Sequence, residues 1–388
     1  MQQVEFSLAD GSQLIKRLRR LGPLAWIPQK WTYEILVAVL FAWAPLLIFT
    51  AHKGLALGNK VQIPFLVDLI QYARFLVALP CAIALGKFVN PRLRSVLNNF
   101  LKMGIVSGQE FTRFQGAIAR AGILANSIAA EFVILALVYA YAALRLYRDV
   151  PEISSWNHTQ NAAISGTAAD WWFLWVSMPL LLFNWFLWAW RLGVWAYLLL
   201  RISRLELRVV ATHPDRAGGL SFVQVGMRRF SVLVFALSSI LCASIGEEIL
   251  FNGAKLSSYE LELALFFLIC LAVILGPLLV FTPVLMRSKL EYWASYGPFA
   301  SSYVQGFDEK WILRRGPSGE TALGSPDIQS LADLRHSYSG IAETRTLLPN
   351  RTTVGIFALA YTLPTLPLLA SVISLRRILS EVYTHLLK

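Results

Sequence analysis

The chain has 388 residues, 56% of them hydrophobic and only 15% charged, with a mean hydropathy of +0.55. Soluble domains run at roughly 45–50% apolar and about 25% charged, so a soluble globular protein is excluded and the unit of counting becomes the membrane span of about 20 residues. The 35 Lys and Arg outnumber the 23 Asp and Glu to give a net charge of +12, which in a membrane protein records topology rather than nucleic-acid binding.

Residues 1–31 carry Lys16, Arg17, Arg19, Arg20 and Lys30. They hold no apolar core followed by a small-residue cleavage site, so no removable signal peptide is expected. Ser7 to Leu21 reads as a short amphipathic helix, with Leu14, Ile15, Leu18 and Leu21 opposite the basic residues. Such a helix is expected to lie on the membrane surface.

Apolar runs long enough to span a bilayer follow at about Thr32–Ala51, Pro64–Gly86, Ile128–Leu146, Trp171–Leu200, Phe230–Leu250, Leu261–Met286 and Thr353–Ile373. The predicted fold is an all-α, polytopic transmembrane helix bundle of about seven spans with helical cytoplasmic loops. Its parts are a cytoplasmic segment (1–31), a six-span region (32–286) with loops at 87–127 and 201–229, a cytoplasmic helical segment (287–352), and a proline-broken seventh span with a short tail (353–388). Loop charges test this count, because Lys and Arg concentrate on the cytoplasmic side. The amino-terminal segment has five basic residues, the loops after the second and fourth spans have six each, and that after the sixth has eight. The alternate loops are poor in them, which places the amino terminus in the cytoplasm. Trp171 and Trp172 at one end of the fourth span, and Trp195 and Tyr197 near the other, read as interfacial aromatic belts. Arg376 and Arg377 follow the last span on what would be the outer side, which leaves a broken or re-entrant helix open there.

Within the larger cytoplasmic segments, Lys87–Ser127 suits a helical hairpin. The Arg314–Gly319 stretch reads as a turn, and Ser325-Pro326-Asp327 opens a helix from Pro326 to about Arg335, with Ser as cap and Pro at the first helical position.

Ionisable groups inside spans cost several kcal/mol unless paired, snorkelled or wet. Asp68, Glu247 and Glu248 lie near outer span ends and Glu131 near an inner end, while Arg74 sits about ten residues from each end of its span. Arg74 should therefore face protein or water, either pairing with a carboxylate or lining a conduit. Asn184 and Arg191 are seven apart, two turns along one face of the fourth helix. That polar stripe suits a helix–helix contact or a pore.

The longest polar motif, His213-Pro214-Asp215-Arg216-Ala217-Gly218-Gly219-Leu220, has two readings. Its glycines could form a backbone nest for an anion clamped by Arg216, with His213 as proton donor. Alternatively it is a tight turn in which Gly218 or Gly219 takes a positive φ and Asp215 pairs locally. Cys81, Cys242 and Cys270 lie in apolar runs, the five histidines are scattered, and no phosphate loop or nucleophile elbow is present. No metal or other cofactor is expected, and enzyme chemistry has little to stand on.

The His213–Leu220 motif, together with Gly324-Ser325-Pro326-Asp327-Ile328-Gln329-Ser330-Leu331-Ala332-Asp333-Leu334 and the proline-interrupted last span, resembles a family of uncharacterised bacterial multi-pass membrane proteins. The resemblance implies a bacterial inner membrane and transfers no activity. The leading functional expectation is an oligomeric ion channel or conduit in the lipid bilayer, built from copies of this chain, with a cytoplasmic vestibule. The alternatives are a membrane enzyme acting on a phosphate-bearing lipid through His213, Asp215 and Arg216, and a membrane scaffold or assembly partner.

Overall fold

A computed structural model describes residues 6–8, 12–20, 30–58, 60–145, 155–156, 167–313 and 324–368. The expected turn at 314–319 and residues 369–388, including Arg376 and Arg377, lie outside these. The regular structure of the described residues is all helical, with no strand and only isolated bridges at Ile63–Ser155 and Val106–Leu207. The helices are α1 (Gln13–Arg20), α2 (Trp31–Lys53), α3 (Leu69–Lys102), α4 (Phe111–Ala125), α5 (Ile128–Arg145), α6 (Ala168–Ser203), α7 (Ser221–Asn252), α8 (Glu260–Leu275), α9 (Thr282–Phe307), α10 (Pro326–Glu343) and α11 (Arg351–Thr362).

Six helical stretches are long and apolar enough to cross a membrane: α2, α3, the α4–α5 pair, α6, α7, and the continuous run from Leu256 to Ile312. The protein is therefore an all-α membrane helix bundle. The predicted seventh span is described only as far as Leu368: α11 ends at Thr362 and tightens into a 3-10 turn at Leu363–Thr365 around Pro364.

The prolines explain the irregular turns. A proline inside a helix lacks the N–H for the carbonyl four residues back and its ring collides with that carbonyl. The π-helical stretches Tyr72–Ala78 and Phe173–Ser177 stand just before Pro80 and Pro179, where a wider turn relieves the clash. In both, a bond skips five residues, Leu79 N–H to Arg74 O and Met178 N–H to Phe173 O. Near Pro364 the carbonyl of Tyr361 accepts from Ser238 Oγ at 2.6 Å, joining α11 to α7.

Similar side-chain bonds cross other interfaces, where apolar burial drives little because lipid is equally apolar. Ser177 Oγ donates to Ala42 O (2.7 Å), Trp188 Nε1 to Ala82 O (2.7 Å) and Tyr361 Oη to Leu263 O (2.7 Å). Such bonds average about 0.6 kcal/mol each. Small contributions of this kind fix which faces meet.

The segments with the basic residues gather at one end of the bundle, here the basic end. Residues 6–8 pack there, with Leu8 N–H on Asn90 and Phe6 against Trp195, and Arg208 N–H reaches Ile105 O. The lower part of α3 touches α4 through the Phe100 and Phe114 rings, 6.1 Å apart, and α4 packs along α6. Trp195 is fully buried between Phe6 and Met227, so it is not an interfacial belt residue. The reason is length: α6 has 36 residues, roughly 54 Å at 1.5 Å per residue, and its lower turns project beyond a hydrocarbon core of about 30 Å into protein. Trp171, at the other end, is exposed as a belt residue should be.

Helix α10 is capped as the motif predicted, with Ser325 Oγ accepting from Asp327 N–H, but it runs to Glu343 rather than Arg335. Its last turn is held by α9, whose Lys289 Nζ donates to Ala342 O and Thr344 O.

Candidate functional site

Several of the sequence-selected residues gather into two groups at opposite ends of the bundle. At the end away from the basic loops, Asp68 is 5% exposed and caps the first turn of α3. Its carboxylate accepts from Gln71 N–H (3.0 Å), Gln71 Nε2 (3.0 Å) and Trp156 Nε1 (2.8 Å). Trp156, which precedes α6 in the chain, is held by its backbone N–H on Ile63 O. Its indole is fully buried, edge-on to Phe65 at 5.0 Å and Phe173 at 5.5 Å. The indole roofs Asp68 and separates it from the surface.

Beneath this roof α7 supplies Glu247, whose Oε1 accepts Ile70 N–H at 2.9 Å and whose side chain faces Asp68. Arg74, half-buried on the π-widened stretch, lies within electrostatic reach of both carboxylates and of Arg145 and Tyr141 on α5. Gln71 is buried, and its Oε1 has no protein partner among the described residues. The structure thus brings together Asp68, Arg74 and Glu247, with Gln71 and Trp156, which sequence reasoning missed. Asp68 and Gln71 are three apart at a helix start, a capping spacing that could have flagged Gln71. Nothing local could have flagged Trp156, since its partner lies 88 positions away.

Other selected residues stand apart from this cluster. Glu248 accepts from Asn252 Nδ2 within α7, and Asn184 Nδ2 donates back to Leu180 O within α6 at 2.8 Å. Arg191 is buried with its guanidinium 5.2 Å from the Trp188 ring, a distance at which the ring face attracts a cation. Glu131, 2% exposed in the first turn of α5, caps another helix. Its Oε1 accepts Gln13 N–H (2.7 Å), and its Oε2 accepts Leu14 N–H (2.8 Å) and Ser12 Oγ (2.8 Å). These are among the N–H groups that a helix start leaves without internal partners.

At the basic end His213–Leu220 forms a compact turn between α6 and α7. Arg216 (φ 54°), Gly218 (φ 61°) and Gly219 (φ 89°) are left-handed. Asp215 fills the resulting concavity with its own carboxylate. Oδ1 accepts Ala217 N–H (2.8 Å) and Gly219 N–H (3.0 Å), Oδ2 accepts Ser221 N–H (3.0 Å), and His213 Nδ1 stands 2.9 Å from Oδ1. The donors that a bound anion would need are therefore taken. Partial burial raises the Asp215 pKa, but the N–H groups of Gly219, Ala217 and Ser221 outweigh it and hold the carboxyl below the ordinary range.

The turn is clamped from outside as well. Arg345 donates through its backbone N–H to Arg216 O (2.8 Å) and through Nη2 to Asp215 O (3.1 Å), while Arg216 pairs with Glu343 at 3.0 Å. Thr344 Oγ1 donates to Ala211 O and Ser288 Oγ to Val209 O. Buried Gln224 accepts from Asn350 N–H and Thr353 Oγ1, which fastens the start of α11 to α7. None of Ser288, Thr344, Arg345 or Gln224 stands out in the sequence, because each is an ordinary polar residue whose partner is distant.

Asp215→Ala should cost about 1–2 kcal/mol, the lower end reflecting solvent screening. A folded-state pKa below the unfolded value of about 3.9 contributes stability that is complete above it and lost as pH falls below it. Thermal unfolding from pH 7 to pH 3 should show wild type losing its advantage over Asp215→Ala only toward the acid end. A pH-independent difference would mean that the ionised carboxylate does not hold the turn.

No family model, curated protein or solved structure matches the chain. The class that the fold defines is a polytopic all-α membrane protein.

Proposed function

We propose that the protein is an ion conduit formed by several copies of the chain, with Arg74, Asp68 and Glu247 as the polar step in the membrane and the basic segments as a cytoplasmic vestibule. One observation carries the reading. An arginine and two carboxylates from α3 and α7 lie within electrostatic reach of one another inside membrane-crossing helices, beside a buried Gln71 oxygen and on a π-widened turn. Groups that costly within a bilayer mark ion and proton pathways more often than scaffolding, and π turns recur at functional sites. Trp156, which donates to Asp68, would lie over the far end of such a conduit. Assembly of copies is supported by the α9–α10 hairpin at the basic end, which exposes Trp293, Phe299, Ile312 and Ile328 away from the longest apolar stretches. The loop charges favour a cytoplasmic basic end, and the motif resemblance favours a bacterial inner membrane.

The same hairpin also supports a second reading, a scaffold for another membrane protein. An enzyme acting on a phosphate-bearing lipid at the His213 turn has less support, because Asp215 already occupies that nest.

Planar-bilayer recordings and proteoliposome flux assays with the purified protein test the proposal. Conductance to at least one small ion is expected. Arg74→Leu should alter it or, by removing the positive charge near Asp68 and Glu247, destabilise the fold. Silence towards cations and anions alike would sink the conduit, and a stable, fully conducting Arg74→Leu protein would remove Arg74 from it.

A further inference from the structure

Helix α1 lies along the ends of the spans rather than beside them. It starts at Glu131, in the first turn of α5, and finishes with Arg19 paired at 2.9 Å to Glu34, in the first turn of α2. Between these anchors Leu14 enters a cluster with Ile134, Val138, Phe183 and Leu187 of α5 and α6. Eight residues cover roughly 12 Å, enough to link neighbouring span ends within the plane of the interface. The preceding residues are tied down too, through Leu8 N–H on Asn90 and Arg94 Nε on Phe6 O.

This docking settles which side of α1 is left outward. Lys16 and Arg20 are four apart and Arg17 and Arg20 three apart, so the three share one face. Arg17 and Arg20 are exposed and Lys16 half-buried. Like charges at these spacings repel, and among the described residues no carboxylate bonds to any of the three. Arg19, at the edge of this face three residues beyond Lys16, has its carboxylate in Glu34. A basic face held at the level where hydrocarbon gives way to headgroups needs a counter-anion that the bilayer itself supplies. Each basic side chain near an anionic membrane surface is worth about fivefold in partitioning.

We propose that Lys16, Arg17 and Arg20 form a binding surface for anionic phospholipid headgroups in the leaflet at the basic end, and that this lipid fastens α1 across the starts of α2 and α5. The inference does not depend on the conduit reading.

The test uses the full-length protein in nanodiscs of phosphatidylcholine alone and of phosphatidylcholine mixed with phosphatidylglycerol, with thermal unfolding and retained phosphatidylglycerol as readouts. Wild type should unfold several degrees higher in the mixed discs and retain phosphatidylglycerol through delipidation. The triple variant Lys16→Gln/Arg17→Gln/Arg20→Gln should match wild type in pure phosphatidylcholine but lose most of the rise and the retained lipid. A control variant, Lys102→Gln/Arg120→Gln/Arg335→Gln, removes the same charge from exposed sites elsewhere and should keep both. Equal loss in the control would reduce the effect to net charge and overturn the site. So would an undiminished rise in the triple variant, or an equal rise with inorganic phosphate added to phosphatidylcholine discs.

Discussion

Gly218→Ala should be among the most damaging small substitutions in the chain, lowering stability by on the order of 4 kcal/mol and sharply reducing folded yield. Two penalties combine. Gly218 sits at φ 61°, and a Cβ there would stand 2.2 Å from Val209 Cγ1 and 3.3 Å from Leu285 Cδ2. Val209 cannot swing away freely, because its carbonyl is held by Ser288 Oγ and the next N–H, of Val210, is held by Gly218 O itself. The neighbouring Gly219→Ala provides the comparison. At φ 89° it bears a conformational cost, but its Cβ would meet only Ile105 and His213 side-chain atoms at 3.7 Å and beyond. The expected loss there is about 1–2 kcal/mol. Adding Val209→Ala to Gly218→Ala should recover part of the loss, since the colliding methyl is removed. Equal behaviour of the two glycine variants in thermal unfolding, or no recovery in the double variant, would refute this account of the turn.

Glu131→Ala should release helix α1. The substitution strips the acceptor from Gln13 N–H, Leu14 N–H and Ser12 Oγ together, in a site with almost no water to replace it. Leaving such donors without partners costs on the order of 3 kcal/mol. The loss should be local. Hydrogen exchange over residues 12–20 should accelerate strongly, while protection in α3 and α7 stays near wild type. Glu131→Gln keeps one accepting oxygen and should fall between the two. Unchanged protection of α1 in Glu131→Ala would show that Leu14 packing and the Arg19–Glu34 pair suffice to hold it.

These experiments also bear on what a chemically suggestive residue means in a membrane protein. Glu131 and Asp215 look like candidate site residues on charge alone. In the fold each one saturates backbone N–H groups at a helix start or in a turn, the use that short acidic side chains commonly find when water is scarce. Asp68 also caps, but it shares its surroundings with Glu247 and Arg74, and that convergence of charges separates the intramembrane cluster from the other carboxylates.

The membrane class, the all-α fold and the approximate positions of six spans could be read from one dimension, because hydrophobic run length is set by a bilayer of known thickness. The Ser325 cap and the glycines of the 213–220 turn were legible for a similar reason, since cap and turn chemistry acts over three or four residues. Other features required the tertiary structure. Whether Trp195 meets lipid or Phe6, whether the Asp215 nest is open or filled, that Trp156 roofs Asp68, and that Glu131 belongs to α1 were decided by partners between 2 and 189 positions away. A hydropathy profile records how much a residue prefers to leave water. It carries no information on which neighbour satisfies its hydrogen bonds, and in a bundle whose interior and surroundings are equally apolar those directional bonds choose the packing.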